Sequence, residues 1–214
     1  MILYILQYTE LWATLLPIIV WLIRKPGTLL KPVKVYLAVV LCLYLCIFAA
    51  YFNIISNNHF FYTLVSLCRL ICFTWFFLGL QLYPNTKIIW VVCGIAVVLV
   101  MLNFLFLENF LEAFSSHTFS LEAFILLIFC IQYFLKKLRS DEVTLQFDAA
   151  LYIITGLAIY EAVCFPMFLF YNTLISSNEL YAAQVWNIVQ NIAYIVFCIL
   201  IARAFYGSPR YSVN

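Results

Sequence analysis

Four ionisable side chains lie inside long apolar segments of this sequence, where few residues can do chemistry. They are Glu10, Arg69, Glu122 and Glu161. An ionised side chain at the centre of a bilayer is costly, so such residues usually pair with one another or line a polar cavity. These side chains are therefore the first candidates for a functional site.

The depth of each charge in its apolar segment predicts which charges meet. At about 1.5 Å per residue, Arg69 and Glu161 fall near the middle of their segments, while Glu10 lies in an outer half. Glu122 lies about one turn from an outer end, within reach of interfacial water. We predict that Arg69 pairs with Glu161, with Glu10 as the competing partner. Such a pair is either a polar pocket or switch lock, or an ion pair that only sets helix register.

Polar residues recur every three or four positions in three of the apolar segments, so each set forms a stripe on one helical face. Tyr160, from a fourth segment, is added to the candidate polar core. We expect the stripes to face one another, as hydrogen-bonding contacts between helices or as the wall of a ligand cavity. The stripes comprise Gln7, Glu10 and Thr14; Tyr62, Ser66 and Arg69; and Gln184, Asn187, Asn191, Tyr194 and Cys198.

Several kinds of chemistry lack the residues that they need. The only histidines are His59 and His117, both in or beside predicted links, so haem, di-iron and zinc sites are not expected. No Gly-x-Ser-x-Gly motif and no glycine-rich phosphate loop appears. No basic run suggests a nucleic acid partner. We therefore expect no cofactor, no resident metal and no enzymatic activity.

The composition indicates the architecture that must position these side chains. Of 214 residues, 67% are hydrophobic and 9% are charged, whereas soluble domains carry about 25% charged residues. A membrane-spanning helix needs about 20 mostly apolar residues. The sequence predicts an all-α polytopic membrane protein, with residues 1–214 forming a single transmembrane domain and a seven-helix bundle. The predicted helices cover about 3–23, 34–53, 60–82, 88–107, 117–135, 149–172 and 183–205.

The basic residues predict which way the bundle faces. Ten of the eleven Lys and Arg residues lie in the links after the first, third and fifth helices or near the C-terminus, and only Arg69 lies deep inside a helix. The opposite links carry Glu108, Glu112 and Glu179 but no Lys or Arg. Because short cytoplasmic loops carry the excess of Lys and Arg, we expect the N-terminus outside and the C-terminus in the cytoplasm.

Several short motifs stand out in the C-terminal half. They are residues 120–124 (Ser-Leu-Glu-Ala-Phe), residues 137–142 (Lys-Leu-Arg-Ser-Asp-Glu), Thr155 and Gly156 with Tyr160, and residues 186–188 (Trp-Asn-Ile) with Asn191. These motifs resemble those of small uncharacterised seven-helix bacterial integral membrane proteins. Proteins of this group are associated with histidine kinases and response regulators of two-component signalling. The resemblance implies a sensory or signalling role in the bacterial inner (cytoplasmic) membrane, and it carries over no ligand or catalytic residue.

The leading functional hypothesis is a membrane sensory or signal-relay module that acts through a separate partner, because the sequence contains no output domain. The link after the fifth helix is the predicted docking surface for a histidine kinase or another signalling protein. The alternatives are a small transporter or channel, and a structural subunit of a membrane complex; the lipid bilayer is a partner in each case. The docking residues would be Lys136, Lys137, Arg139, Asp141 and Glu142.

Overall fold

The computed structural model describes residues 9–51, 59–81, 86–106, 115–139 and 148–208, and every regular element in these ranges is helical. The all-α prediction is therefore confirmed for this part of the chain. The helices are α1 (Thr9–Arg24), α2 (Lys31–Tyr51), α3 (His59–Gly79), α4 (Thr86–Phe106), α5 (Ser116–Arg139), α6 (Ala149–Ser177), α7 (Glu179–Val185) and α8 (Asn191–Gly207). A 3₁₀ turn (Thr28–Leu30) leads into α2, and a π-helical turn (Trp186–Gln190) joins α7 to α8.

Within the residues that the structure describes, five helical stretches are long and apolar enough to cross a membrane, with mean hydropathies from 1.7 to 2.2. By length and composition, the chain therefore has the architecture of a multi-pass membrane protein. In α1 the structure describes 16 residues, about 24 Å of helix, and residues 3–8 of the predicted first span lie outside the described ranges. The five stretches are Thr28–Ala49, His59–Gly79, Ser116–Arg139, Ala149–Ser177 and Leu180–Gly207.

A capping side chain marks the first residue of α6. The Asp148 carboxylate accepts hydrogen bonds from the backbone N–H groups of Ala150 at 2.9 Å and Leu151 at 3.3 Å. These N–H groups have no partner inside α6, so the cap stabilises its first turn. The observed start of α6 at Ala149 agrees with the predicted start at about 149.

Asn178 separates α6 from α7. Its backbone N–H donates to the carbonyl of Leu174 at 2.9 Å, and its side-chain oxygen accepts from the N–H of Tyr181 at 3.1 Å. The final helical segment therefore begins at Glu179, not near 183 as predicted. The predicted start lies too late because the helix begins directly after its polar capping residue Asn178, whereas the prediction followed the apolar residues.

The helices pack around a core rich in aromatic side chains. Helix α6 lies between α5 and α8, α1 lies against α8 and α2, and α4 packs at the edge against α3 and α5. Phe73 contacts Tyr36 and Phe197 with ring centroids 5.2 and 5.7 Å apart, and Tyr160 stacks on Phe197 at 5.7 Å. Rings from α2, α3, α6 and α8 therefore enclose the centre of the bundle in apolar surface.

Gly156 permits the close approach of α6 to α8. A Cβ atom at this position would lie 3.1 Å from Leu200 Cβ and 3.2 Å from Phe197 Cδ2. Both distances are tighter than ordinary carbon contacts, so a side chain at this position requires Leu200 and Phe197 to shift. Small residues commonly allow such approaches between helices in membranes.

We expect Gly156→Leu to lower the free energy of unfolding by about 1–3 kcal/mol or more, because overpacking displaces neighbouring side chains. The control is Gly94→Leu on α4, where a Cβ atom meets nothing within 4 Å. Thermal unfolding of both variants in detergent measures the difference. Equal midpoints for the two variants would contradict the close packing of α6 on α8.

Candidate functional site

Three helices bring Arg69 (α3), Glu122 (α5) and Glu161 (α6) together in what we call the charge cluster. Their side chains are 1%, 2% and 0% exposed. Ser66 lies almost one turn before Arg69 on the same buried face of α3, and Tyr160 lies beside Glu161 on α6. The cluster therefore links α3, α5 and α6 inside the bundle.

Glu122 is the main partner of Arg69. The Nε atom of Arg69 donates to Glu122 Oε1 at 2.5 Å, and its Nη2 atom donates to Glu122 Oε2 at 2.8 Å. The Ser66 hydroxyl also donates to Glu122 Oε2. Two parallel N–H donors fit the geometry of a carboxylate, and such bidentate pairs are the strong ones.

The prediction that Glu122 reaches interfacial water was wrong. The first turns of α5 are buried, because Phe119 packs on Phe168 and Trp186 with ring centroids 5.1 and 6.4 Å apart. The hydroxyl of Ser116 donates to the backbone carbonyl of Phe168, which ties this end of α5 to α6. Position along a helix does not show that neighbouring helices cover this end of α5.

The predicted pair of Arg69 with Glu161 is confirmed, with Arg69 Nε 3.1 Å from Glu161 Oε1. Its geometry differs from that of the Glu122 pair. Within the described part of the chain, neither oxygen of Glu161 accepts a hydrogen bond. The guanidinium carbon of Arg69 also lies 4.7 Å from the centre of the Tyr160 ring, a cation–π contact that uses the ring face of this predicted core residue.

Glu10, predicted to compete for Arg69, is bonded elsewhere. Gln190 Nε2 donates to Glu10 Oε1 at 2.5 Å, and the Tyr62 side chain is a second hydrogen-bond partner. Close by, the hydroxyls of Thr14 on α1 and Tyr194 on α8 are hydrogen-bonded at 2.8 Å. The stripes of the first, third and last helices thus contact one another as predicted, through partly different residues.

The π-helical turn explains why Gln190 was not predicted. A π turn closes hydrogen bonds to the fifth residue and inserts one extra residue into the helix. In the described structure Gln184 is exposed, Asn187 is half-buried, and Gln190 and Asn191 are 3% and 2% exposed. The even spacing expected from Gln184 to Asn191 therefore breaks at this turn, and no sequence signal marked the shift.

The predicted docking residues on α5 make contacts within the chain. Lys136 Nζ donates to the backbone carbonyl of Gln81 at 2.6 Å, and Lys137 Nζ lies 3.1 Å from Asp148 Oδ2. Arg139 is exposed at the end of α5. Asp141 and Glu142 lie outside the described residues.

Asp148 joins the C-terminal end of α5 to the N-terminal end of α6. The hydroxyl of Tyr133 and the ammonium group of Lys137 each donate to its Oδ2 atom at 3.1 Å. Partial burial favours a raised pKa for the Asp148 carboxyl, but hydrogen bonds from Lys137, Tyr133 and the Leu151 amide, with the Lys137 charge, hold its pKa below the ordinary value. The carboxylate form is therefore stabilised in the folded protein.

The described residues contain no group of three or more His, Cys, Asp or Glu side chains that could hold a metal ion. No family model matches the chain, and no match was found among curated proteins or solved structures. Any functional assignment therefore depends on the geometry of the charge cluster and of the surfaces linked to it.

We expect Arg69→Met to cost about 3–5 kcal/mol of stability, because it leaves the Glu122 carboxylate buried without its counter-charge. Glu122→Met should cost less, because Glu161 Oε1 still lies 3.1 Å from Arg69 Nε. The double variant is expected to lose much less stability than the sum of the two single losses. Equilibrium unfolding in detergent or bicelles completes this double-mutant cycle, and additive losses would contradict the pairing.

Asp148→Asn tests the contact at the C-terminal end of α5. Because the folded-state pKa of Asp148 lies below its ordinary value of 3.8, its charge stabilises the fold above that value and loses this effect as pH falls through the folded-state pKa. We expect wild type to have a higher melting temperature than Asp148→Asn at neutral pH, and this difference should disappear in acid. In the Lys137→Met background, the difference at neutral pH should be smaller. A difference in melting temperature that depends on neither pH nor Lys137 would contradict the contact.

Proposed function

We propose that this chain is a membrane sensory or signal-relay module that acts through a separate partner protein. The observation that carries this proposal is the position of the charge cluster on α5 and α6. Glu122 and Glu161 occupy these two helices, and the same helices flank the link at 140–147. A change in the cluster would therefore shift the helices that present the proposed docking surface.

The charge cluster has the parts of a two-state element. Arg69 Nε is 2.5 Å from Glu122 Oε1 and 3.1 Å from Glu161 Oε1, so two carboxyls compete for one N–H group. A small rotation of the guanidinium exchanges the preferred partner. Coupling between distant sites requires such an element, with an equilibrium that both sites can bias.

Contacts at the two ends of α5 and α6 support transmission along these helices. Ser116 bonds the backbone of Phe168 near one end, and Lys137 pairs with Asp148 at the other. The helices contain 24 and 29 residues, about 36 and 44 Å of helix. A displacement of α5 or α6 at the charge cluster is therefore expected to move the link at 140–147, which these two helices flank.

We further propose seven spans in a bacterial inner membrane, with the N-terminus outside and the C-terminus in the cytoplasm. Contacts among the basic segments support a common inner end. The Arg24 guanidinium lies 3.9 Å from the Tyr206 ring centre, which brings the ends of α1 and α8 together. Lys136 on α5 donates to Gln81 at the end of α3. These basic residues belong to the links that the charge distribution assigns to the cytoplasm.

Site-specific photocrosslinking in native membranes tests the relay function. A photoreactive amino acid at position 139 should capture a histidine kinase or response regulator, identified by mass spectrometry. The yield of this adduct should change several-fold in the Arg69→Met/Glu122→Met double variant, because the cluster is expected to set the docking surface. Measurements are compared at equal amounts of membrane-inserted protein.

The matched control places the photoreactive residue at position 90, where Trp90 is 65% exposed on the peripheral helix α4. This position should not capture the same partner. Absence of an adduct from position 139, or a yield that the double variant leaves unchanged, would contradict the relay proposal. Hydrogen exchange of residues 136–150 in both proteins shows directly whether the cluster reaches the link.

A small transporter is the second candidate. Buried carboxyls such as Glu10 and Glu161 are typical of ion and proton pathways through membrane proteins. Selective uptake into liposomes by wild type, lost in Arg69→Met while the protein stays folded, would favour transport over relay.

A further inference from the structure

The buried core contains more acidic than basic side chains. Glu10, Glu122 and Glu161 are 6%, 2% and 0% exposed, and Arg69 is the one buried basic side chain in the part of the chain that the structure describes. A guanidinium stays protonated inside proteins. It can neutralise one carboxylate, so the remaining carboxyls require another source of neutrality.

Hydrogen bonds show which carboxyl receives the charge of Arg69. Glu122 accepts two N–H donors from Arg69 and the Ser66 hydroxyl. Glu10 accepts from Gln190 at 2.5 Å. Glu161 accepts from none of the described residues, although Arg69 Nε is 3.1 Å away, because that N–H group is directed at Glu122. Glu161 is thus the carboxyl with the least compensation.

We propose that Glu161 is a proton-binding site, and that it is a neutral carboxylic acid in the arrangement that the structure shows. An ionised carboxylate that is buried without hydrogen-bond donors is strongly unfavourable. Binding one hydronium proton from water forms one O–H bond on Glu161 and leaves a water molecule. The Arg69, Glu122 and Glu161 group then changes from one net negative charge to none.

Proton occupancy decides which carboxyl holds Arg69. With Glu161 protonated, Glu122 is the single anion in contact with the guanidinium. When the proton leaves, Glu161 becomes a second anion 3.1 Å from Arg69 Nε and competes with Glu122 for it. Ser66 continues to hold the far oxygen of Glu122. This site exists whether the chain relays a signal or moves a solute.

The groups around Glu161 favour a proton over a metal cation. The guanidinium of Arg69, 3.1 Å from Oε1, would repel a metal ion at the same oxygen. The titratable groups that interact with Glu161 are Arg69 from α3, Glu122 and Cys130 from α5, and Tyr160 and Cys164 on α6. Helices α1, α2 and α8 add Glu10, Tyr36 and Tyr194 to the same buried core.

Infrared spectroscopy of the full chain in liposomes tests this site. A protonated carboxylic acid has a C=O stretch separate from carboxylate bands and shifted by H₂O/D₂O exchange. We expect wild type to show this band at neutral pH and to lose it as pH is raised. Glu161→Gln, which mimics the neutral acid in shape, should remove the component that titrates.

The matched control is Glu10→Gln, which removes a buried carboxyl with its own donors and should leave the Glu161 component intact. Wild-type stability should fall as pH is raised, because ionised Glu161 lacks compensation, and Glu161→Gln should reduce that dependence. The wild-type band can be measured even if a variant fails to fold. Absence of a protonated band in wild type, or a band that folded Glu161→Gln leaves unchanged, would overturn the proposal.

Discussion

The buried guanidinium of Arg69 constrains the rest of this bundle. A charge with 1% exposure must be neutralised where it lies, because transfer from water to a low-dielectric interior costs far more than a folded protein can lose. The bidentate contact with Glu122 meets this need only when α3 and α5 have one depth and one rotation about their axes. Glu161 Oε1 lies 3.1 Å from Arg69 Nε, so α6 is also held close to this pair.

The aromatic core increases the strength of this constraint. Tyr160 covers one side of Arg69 and stacks on Phe197 of α8, while Tyr36 of α2 packs on Phe73 of α3 in the same core. Exclusion of water strengthens the pair with Glu122, and it also raises the cost of any carboxylate that lacks donors. The same enclosure therefore stabilises one ion pair and makes the charge of its neighbour Glu161 unfavourable.

The charged residues divide between two regions with different energetics. The ion pairs of Arg69 in the core are buried. In contrast, Lys136, Lys137 and Asp148 join helix ends where water screens their charges. The core contacts position α5 against α6, and the end contacts hold the segments that flank 140–147. The proposed relay depends on this connection between the buried charge cluster and the weaker, solvent-screened contacts at the helix ends.

The sequence by itself determined the helical, membrane-type architecture, because runs of about 20 apolar residues can bury their surface only in a bilayer. It also singled out Arg69 and its pairing with Glu161, since position along a helix measures depth at a constant rise. Only the tertiary structure revealed that Glu122 is the main partner of Arg69 and that Gln190 is a partner of Glu10. Depth does not give rotation about the helix axis, and neither the rings that cover the start of α5 nor the extra residue of the π turn has a periodic signature in sequence.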